Sequence, residues 1–158
     1  MKNDIATTVK EKIKVKILKM YPDVKIPEYK TIGSSGCDIY AYIKDEYMTF
    51  SPFETLVVPT GIKVAIPREY EIQLRPRSGM SLKTPFRIAN SPATIDSDYR
   101  GEIGIILQNV SNEVAVLNNN ERIAQLIVSL VRQINFVEVV TLDPTKRNEN
   151  GFGSTGKS

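Results

Sequence analysis

Two carboxylates lie close together in the stretch NSPATIDSDYRGEIGIILQN (90–109), where Asp96 and Asp98 flank one serine ahead of an apolar run. A carboxylate in such a turn can take a proton from an attacking water and so act as a general base. The alternative is structural, because aspartates in turns commonly bond their own backbone two residues on. The stretch therefore predicts either a catalytic base or a turn-forming aspartate.

A second candidate is the stretch RPRSGMSLK (75–83), in which Arg77, Ser78 and Gly79 precede a segment without helix breakers. Ser78 can cap a short helix over Ser78–Lys83. A guanidinium, a hydroxyl and exposed amides at a helix start all favour phosphate oxygens. The stretch predicts an anion site, although Arg-Ser-Gly is also common in ordinary loops.

Two further polar residues lie within predicted strands. Asp38 follows a small-residue turn in GSSGCDIYAY (33–42), on the face opposite Cys37 and Ile39. A single strand carboxylate more often faces solvent than a metal. Gln125 is the one uncharged polar residue in ERIAQLIV (121–128), where an amide needs a partner that is either structural or a ligand.

The composition limits the available chemistry. The 158 residues include no histidine and one cysteine, which excludes disulfides within the chain, cysteine-rich zinc sites and histidine-based catalysis. The net charge of +3 gives no extended nucleic-acid surface, though local arginines can hold phosphates. No apolar run approaches the roughly 20 residues that cross a bilayer, and the N-terminus lacks a signal-peptide core. We expect a soluble, cytoplasmic protein with no nucleic-acid or membrane partner.

Short β-branched or alternating runs, separated by Gly, Pro, Asn and Asp, predict the strands that must position these residues. The runs are KVKIL, CDIYAYI, ETLVV, GIKVAI, EIQL, EIGIILQN, VAVL, AQLIVSLV and FVEVV. Many short strands at regular spacing predict an all-β sandwich, jelly roll or barrel. The stretch TIDSDYRGEI (94–103) is predicted to form a β-hairpin or its rim.

The two ends of the chain differ from its middle. Residues 1–12 are polar and weakly patterned, which predicts a loose N-terminal arm before a β-domain at 13–146. Residues 147–158 (RNENGFGSTGKS) are rich in Gly, Ser and Asn but contain Phe152. An unstructured terminus is the simple interpretation, and it leaves the aromatic ring unexplained.

Five stretches in this order and spacing, GCDI, PRSGMS, NSPATIDSDYRGEI, ERIAQLIV and RNENGFGSTG, resemble the trimeric dUTPase family. The resemblance covers nearly the whole chain from about Lys14. It implies a jelly-roll-like β-barrel with a flexible C-terminal arm, assembled as a homotrimer with active sites at subunit interfaces. It also implies Mg²⁺-dependent hydrolysis of dUTP to dUMP and pyrophosphate, which removes dUTP from the nucleotide pool and supplies dUMP for thymidylate synthesis.

The resemblance implies a role for each motif residue. Asp96 would activate the water that attacks the α-phosphorus. Asp38 would contact Mg²⁺ through water, with the ion bound mainly by substrate phosphates. The residues expected to hold the phosphates are Arg77, Ser78, Gly79 and Gln125.

The same resemblance implies selectivity for uracil and for deoxyribose. Backbone groups in a fixed hairpin would recognise uracil and leave cytosine facing unpaired buried groups. Tyr99 would lie under the deoxyribose and exclude a 2′-hydroxyl. The residues expected to bind uracil are Asn90, Thr94, Ile95 and Gly104.

The C-terminal segment 147–158 would become a mobile lid over a neighbouring subunit's site. Phe152 would stack on uracil, and Arg147 would reach the γ-phosphate. The backbone near Gly153 and the hydroxyls of Ser154 and Thr155 would complete the phosphate shell. A mobile lid then explains both the flexible composition of residues 147–158 and the aromatic ring within them.

Three residues depart from the family pattern, since Ala93, Asn148 and Asn150 stand where many relatives have glycine. A positive φ at Ala93 would be strained by roughly 1 kcal/mol or more unless the backbone there suits an L-residue. Asparagine tolerates left-handed backbone best among non-glycine residues, so its two replacements predict a somewhat stiffer tail.

Other functions stay open at the level of sequence. A dCTP deaminase, or a bifunctional deaminase and dUTPase, shares the fold but uses a glutamate in the hairpin region, and none lies between Asn90 and Asp96. A non-enzymatic relative would be expected to lack Asp96, Arg77 or Phe152, and all three are present. A nucleic-acid module would need aromatic platforms among basic strands, and the tyrosines and phenylalanines do not cluster in that way.

Overall fold

The structure, a computed structural model, describes residues 12–151, and in that range it has eleven strands and one short helix. In chain order the elements are β1 (Lys16–Lys19), β2 (Cys37–Tyr40), β3 (Tyr47–Phe50), β4 (Thr55–Pro59), β5 (Ile62–Ala65), β6 (Tyr70–Arg75), α1 (Ser78–Lys83), β7 (Phe86–Ile88), β8 (Ala93–Ile95), β9 (Gly104–Asn109), β10 (Ala115–Asn118) and β11 (Arg122–Leu130). The predicted all-β class is confirmed.

Small antiparallel sheets pack around one apolar core, in the orders β2–β11–β6–β8, β4–β9–β7, β1–β5 and β3–β10. Alternation of buried and half-buried side chains along the strands produces the core. Along β9, Ile105 and Leu107 are fully buried while Ile106 between them is half-buried. Phe50 of β3 meets Phe86 of β7 edge-to-face, with ring centroids 4.9 Å apart. The core thereby fixes the four-stranded sheet on which most of the candidate site is built.

The predicted strand FVEVV (136–140) is wrong, because the structure assigns no strand to these residues. Phe136 is 87% exposed and Val140 is fully exposed. The sequence has strand character, but among the described residues the segment pairs with no strand.

The predicted hairpin TIDSDYRGEI is wrong in its pairing. β8 pairs with β6, whereas β9 pairs with β4 and β7. The reason is burial, because Ala93 and Ile95 bury their side chains beside their β6 partners, Leu74 and Ile72. The turn that carries Asp96 therefore connects two different sheets.

Candidate active site

One cleft of about 360 Å³ brings together five of the predicted site residues: Asp38, Arg77, Ser78, Gly79 and Gln125. We call it the arginine cleft. Its remaining lining residues are Lys30, Ser34, Ser35, Gly36 and Arg122. Residues from three separate stretches of sequence, 30–38, 77–79 and 122–125, thus meet at one end of the four-stranded sheet.

Strand register explains how the arginine cleft forms. Gln125 of β11 pairs with Asp38 of β2 on one side and with Arg75 of β6 on the other. Directly paired residues of an antiparallel sheet share a face, with Cβ atoms about 5 Å apart. Arg77 comes two residues after Arg75, so β6 delivers it to the same end of the sheet.

Asp38 holds two arginines in place. Its carboxylate accepts a hydrogen bond from Arg77 Nε at 2.7 Å and one from Arg122 Nη1 at 3.0 Å. Arg77 Nη1 also donates to the backbone oxygen of Arg122 at 3.4 Å. Two guanidinium groups against one buried carboxylate leave a net positive charge in a fixed geometry, which suits an anionic ligand.

A β-bulge places Arg122 on the cleft side. The β2–β11 register shifts between Arg122 and Ala124, so that Arg122 pairs with Tyr40 while Gln125 pairs with Asp38. Residues 122 and 125 are an odd number apart and would face opposite sides of a regular strand. The extra residue corrects this, because bulges re-aim side chains and both residues now lie on the Asp38 face.

The helix α1 covers the predicted range, but Ser78 is not its N-cap. Arg77 occupies that position in extended conformation (φ −93°, ψ 134°), and no side chain caps the helix start. The reason is that Arg77 O already accepts the first helical bond, from Ser81 N at 3.0 Å. The Ser78 hydroxyl is therefore not used as a cap, and the space beside Gly79 is empty to 4 Å.

Gln125 has a structural partner within the chain. Its Nε2 donates to Pro76 O at 2.9 Å, which ties the β6–α1 connection to β11. A Cβ at residue 36 would lie 2.6 Å from Gln125 Oε1, so only glycine fits there. The amide is thus positioned to fix the shape of the arginine cleft from two sides.

Asp96 lies in a second cleft, of about 1000 Å³, which we call the aspartate cleft. Its charged lining residues are Arg68, Glu69, Glu71, Asp96, Asp98, Arg100 and Arg132. Asp96 is exposed, and among residues 12–151 no hydrogen bond or ion pair engages its carboxylate. The turn-forming role considered from sequence does not apply to this side chain, which is free to meet a ligand.

A backbone hydrogen bond and the Arg100 side chain hold the turn that presents Asp96. Tyr99 N donates to Asp96 O at 3.1 Å. Arg100 Nη1 donates to Ser97 O at 2.7 Å and to Tyr99 O at 2.8 Å. The turn is therefore fixed without use of the Asp96 carboxylate.

Tyr99 is fixed against the same turn. Its hydroxyl donates to Glu102 O at 2.9 Å, and a side chain at residue 101 would collide with its ring. Glu102 in turn accepts from Gly61 N at 2.7 Å, which anchors the segment to the β4–β5 connection. Tyr99 is 44% exposed, so part of the residue remains accessible.

The predicted uracil-binding residues lie before, within and after β8. Asn90 is exposed in the turn after β7, Thr94 is exposed in β8, and Ile95 is buried. Gly104 begins β9 opposite Pro59. Ala93 is an ordinary paired strand residue, so the strain considered for a positive φ there does not arise.

The aspartate cleft and the arginine cleft are separate on one chain. Ile95, next to Asp96, pairs with Ile72, and Arg77 lies five residues further along β6 and its extended continuation. Five extended residues span about 16 Å. Within one chain, Asp96 and Arg77 therefore line different clefts.

The tail is described only up to residue 151. Arg147 Nε donates to Asn150 O at 2.8 Å within its own turn, and Arg147 lines neither cleft. Asn148 adopts φ +42°, as its tolerance for left-handed backbone allows. Phe152, Gly153, Ser154 and Thr155 lie outside the described residues.

Fold and clefts together define an all-β protein with a cleft in which one buried carboxylate holds two arginines. The dUTPase family model matches residues 22–156, so the chain belongs to the dUTPase family. Its relatives include the deoxyuridine 5'-triphosphate nucleotidohydrolase of Fusobacterium nucleatum, 50% identical over 147 residues that cover 93% of this chain and 99% of the relative. The enzyme of the same name from Finegoldia magna is 48% identical over 144 residues, covering 91% and 99%.

Solved structures agree in fold. A Staphylococcus bacteriophage 80alpha dUTPase with dUPNHPP is 25% identical, with a TM-score of 0.81 over 91% of this chain and 99% of that one. A mutant dUTPase from phage phi11 of S. aureus, with a structural Mg(II) ion, has a TM-score of 0.73 at 22% identity over 83% and 99%. The jelly-roll-like β fold predicted from sequence is confirmed.

Two charged residues of the arginine cleft, Arg122 and Lys30, are not predicted from the sequence. The period-two pattern hides Arg122, because the bulge that re-aims it has no marker in the sequence. Lys30 lies in an irregular loop, where its spacing from the motifs carries no geometric information.

Proposed function

We propose that the protein hydrolyses dUTP to dUMP and pyrophosphate, by attack of an Asp96-activated water on the α-phosphorus with Mg²⁺. The observation that carries this proposal is the arginine cleft, a preformed anion site in a chain of the dUTPase family. The unengaged Asp96 carboxylate supplies the base that a histidine-free protein needs.

In the proposed reaction, the Asp96 carboxylate takes a proton as the water oxygen bonds to the α-phosphorus. The bond from the α-phosphorus to the bridging oxygen breaks, and pyrophosphate leaves with the electron pair. Arg77 and Arg122, held by Asp38, neutralise the charge that develops on the phosphates. The Ser78 hydroxyl and the first amides of α1 add donors on the same side.

The described residues fit a Mg²⁺ that arrives with the triphosphate. Nowhere in residues 12–151 do three acidic, cysteine or histidine side chains come together to hold an ion. Asp38 is the one carboxylate lining the arginine cleft, and a water on its remaining lone pairs would link it to the ion. When bound, Mg²⁺ would offset phosphate charge and orient the α-phosphorus.

A homotrimer would complete the site by placing the Asp96 of one subunit against the arginine cleft of the next. The distance between the two clefts within one chain supports this arrangement. So does the exposed apolar segment between β11 and the tail, which an assembled neighbour would cover. Its exposed members are Ile134, Phe136, Val137, Val139, Val140 and Leu142.

The cellular setting of the protein is a further prediction from the sequence. Within residues 12–151 no helix has the length and apolar character needed to span a membrane. A cytoplasmic location and the absence of nucleic-acid partners stay predictions from the sequence. The boundaries at residues 12 and 146 likewise stay predictions.

Substrate selectivity tests the proposed function directly. With Mg²⁺ present, kcat/KM for dUTP is expected to exceed that for dCTP, dTTP and UTP by at least about 100-fold. Unpaired buried groups penalise cytosine, the tight uracil site has little room for the 5-methyl of thymine, and Tyr99 excludes the 2′-hydroxyl of UTP. Release of pyrophosphate and ammonia is measured for each nucleotide. Ammonia from dCTP would instead indicate the deaminase, and equal hydrolysis of all four would contradict the uracil site.

Deletion of residues 147–158 tests the proposed lid. The truncated protein is expected to stay trimeric while kcat/KM for dUTP falls by about 100-fold, since closure orients the reacting groups. Deletion of residues 156–158 is the matched control, because it keeps Arg147, Phe152, Ser154 and Thr155. Full activity of the longer deletion would remove the tail from the mechanism.

A further inference from the structure

Lys30 lines the arginine cleft from outside every motif of the family resemblance. It stands on the loop between the bridge at Glu28 and the start of β2. A turn folds this loop, in which Ser34 N donates to Thr31 O at 3.1 Å and the two hydroxyls lie 2.8 Å apart. The turn keeps Lys30 on the same cleft as Ser34 and Ser35.

The Lys30 ammonium is paired with the Glu28 carboxylate. Glu28 is itself tied to the cleft, because Asp38 N donates to Glu28 O at 3.0 Å and the Tyr40 hydroxyl donates to Glu28 Oε1 at 3.1 Å. The hydrogen bond between the pair raises the pKa of Lys30 and lowers that of Glu28. Lys30 therefore carries its charge throughout the neutral range.

The Glu28–Lys30 pair is suited to exchange. Both side chains are about half exposed, and exposed ion pairs are weak because solvent screens them. The ammonium is a compact charge on a flexible stem, which can turn from a carboxylate to a phosphate without backbone movement. Without Lys30, the side chains lining the cleft carry two arginines against Asp38, a net charge of +1.

We propose that Lys30 leaves Glu28 when a triphosphate enters the arginine cleft and binds a phosphate oxygen, so that Glu28 and Lys30 together set the affinity for the triphosphate chain. The proposal rests on the proposed function for the identity of the nucleotide. It assigns Lys30 to binding and leaves the attack on the α-phosphorus to Asp96. Glu28 acts as a competitor for Lys30 and lowers the affinity that the lysine would otherwise provide.

Lys25 provides a matched control. Its Nζ lies 5.2 Å from the centroid of the Tyr40 ring, close to the 6.0 Å of Lys30 Nζ, yet Lys25 does not line the cleft. A general loss of positive charge near Tyr40 would affect both lysines alike. Direct binding of phosphate would affect Lys30 alone.

The experiment measures binding of inorganic triphosphate, and of a non-hydrolysable imido analogue of dUTP with Mg²⁺, by calorimetry on the full-length protein. Lys30→Gln is expected to weaken both by about tenfold, the effect of one charge-assisted hydrogen bond, with Lys30→Arg largely restoring them. Lys25→Gln is expected to stay within about twofold of the unaltered protein. Glu28→Gln is expected to tighten binding, but only when Lys30 is present, as a double-mutant cycle detects.

Unchanged binding by Lys30→Gln, or an equal loss in Lys25→Gln, would overturn the proposal. So would a Glu28→Gln effect that persists in the double variant. Hydrolysis of dUTP by the unaltered protein is assayed separately, so a failure of the proposed function is told apart from a failure at Lys30. The inorganic triphosphate arm decides the role of Lys30 even if dUTP is not the substrate.

Discussion

Replacing Asp96 with Asn is expected to lower kcat for dUTP by about 10²- to 10⁴-fold, the usual contribution of a general base. The Asp96 side chain is exposed, and the turn around it is held by backbone groups and Arg100. An amide of the same shape therefore fits without loss of a folded contact. The loss should fall on kcat, because proton transfer occurs only in the transition state.

The measurement is steady-state turnover with Mg²⁺, together with binding of a non-hydrolysable dUTP analogue and light scattering for assembly. Asp98→Asn is the matched control, because Asp98 is an exposed carboxylate of the same turn and the same cleft. It is expected to keep near-normal turnover. Near-normal turnover of Asp96→Asn would remove Asp96 from the role of base.

The stretch RPRSGMSLK by itself predicts an anion site at Arg77, Ser78 and Gly79, whereas Asp38 and Gln125 are linked to phosphate only through the family resemblance. Asp38, Gln125 and the approach to Arg77 lie on three adjacent strands, and alternation along each strand assigns the face. Which strands are adjacent did not follow from the pattern. The β2–β11–β6 order joins segments up to about 90 residues apart, and only complementary packing of the whole core selects it.

Arg122 shows where period-two reasoning fails. Counted along a regular strand, Arg122 and Gln125 face opposite sides, and the sequence ERIAQLIV contains no residue that marks a bulge. The bulge follows from tertiary packing, since Ile123 and Ala124 are both fully buried and a regular strand would bury only one of them. The extra residue of this bulge thereby turns Arg122 toward Asp38, which then binds a second arginine besides Arg77.

The strand errors have a common physical cause. The FVEVV run has strand propensity but pairs with no strand among the described residues. β8 is only three residues long, and its position is set by its pairing with β6. Strand propensity describes how well a side chain fits a pleated, half-buried surface, so a segment forms a strand only where the fold provides such a surface. Among the described residues of its own chain, FVEVV packs on no such surface and stays exposed.

A site shared between subunits predicts that two inactive variants restore each other. Asp96→Asn spoils the aspartate cleft and leaves the arginine cleft intact, and Arg77→Gln does the reverse. Ile72, the partner of Ile95, and Arg77 are five extended residues apart, about 16 Å of chain, so one subunit's defect does not reach its other cleft. In a cyclic trimer, every mixed composition then contains one interface at which both clefts are unaltered.

Co-expression of the two variants with different affinity tags, followed by purification on both tags in turn, isolates the mixed trimers. Their kcat per trimer is expected to be about one third of the unaltered protein's, because one site in three is intact. Each variant alone, purified as a homotrimer of the same size, is expected to stay near background. Mixed trimers as inactive as either parent would show that Asp96 and Arg77 serve the same chain's site. Activity near one third would place catalysis at the contact between the aspartate cleft of one subunit and the arginine cleft of the next.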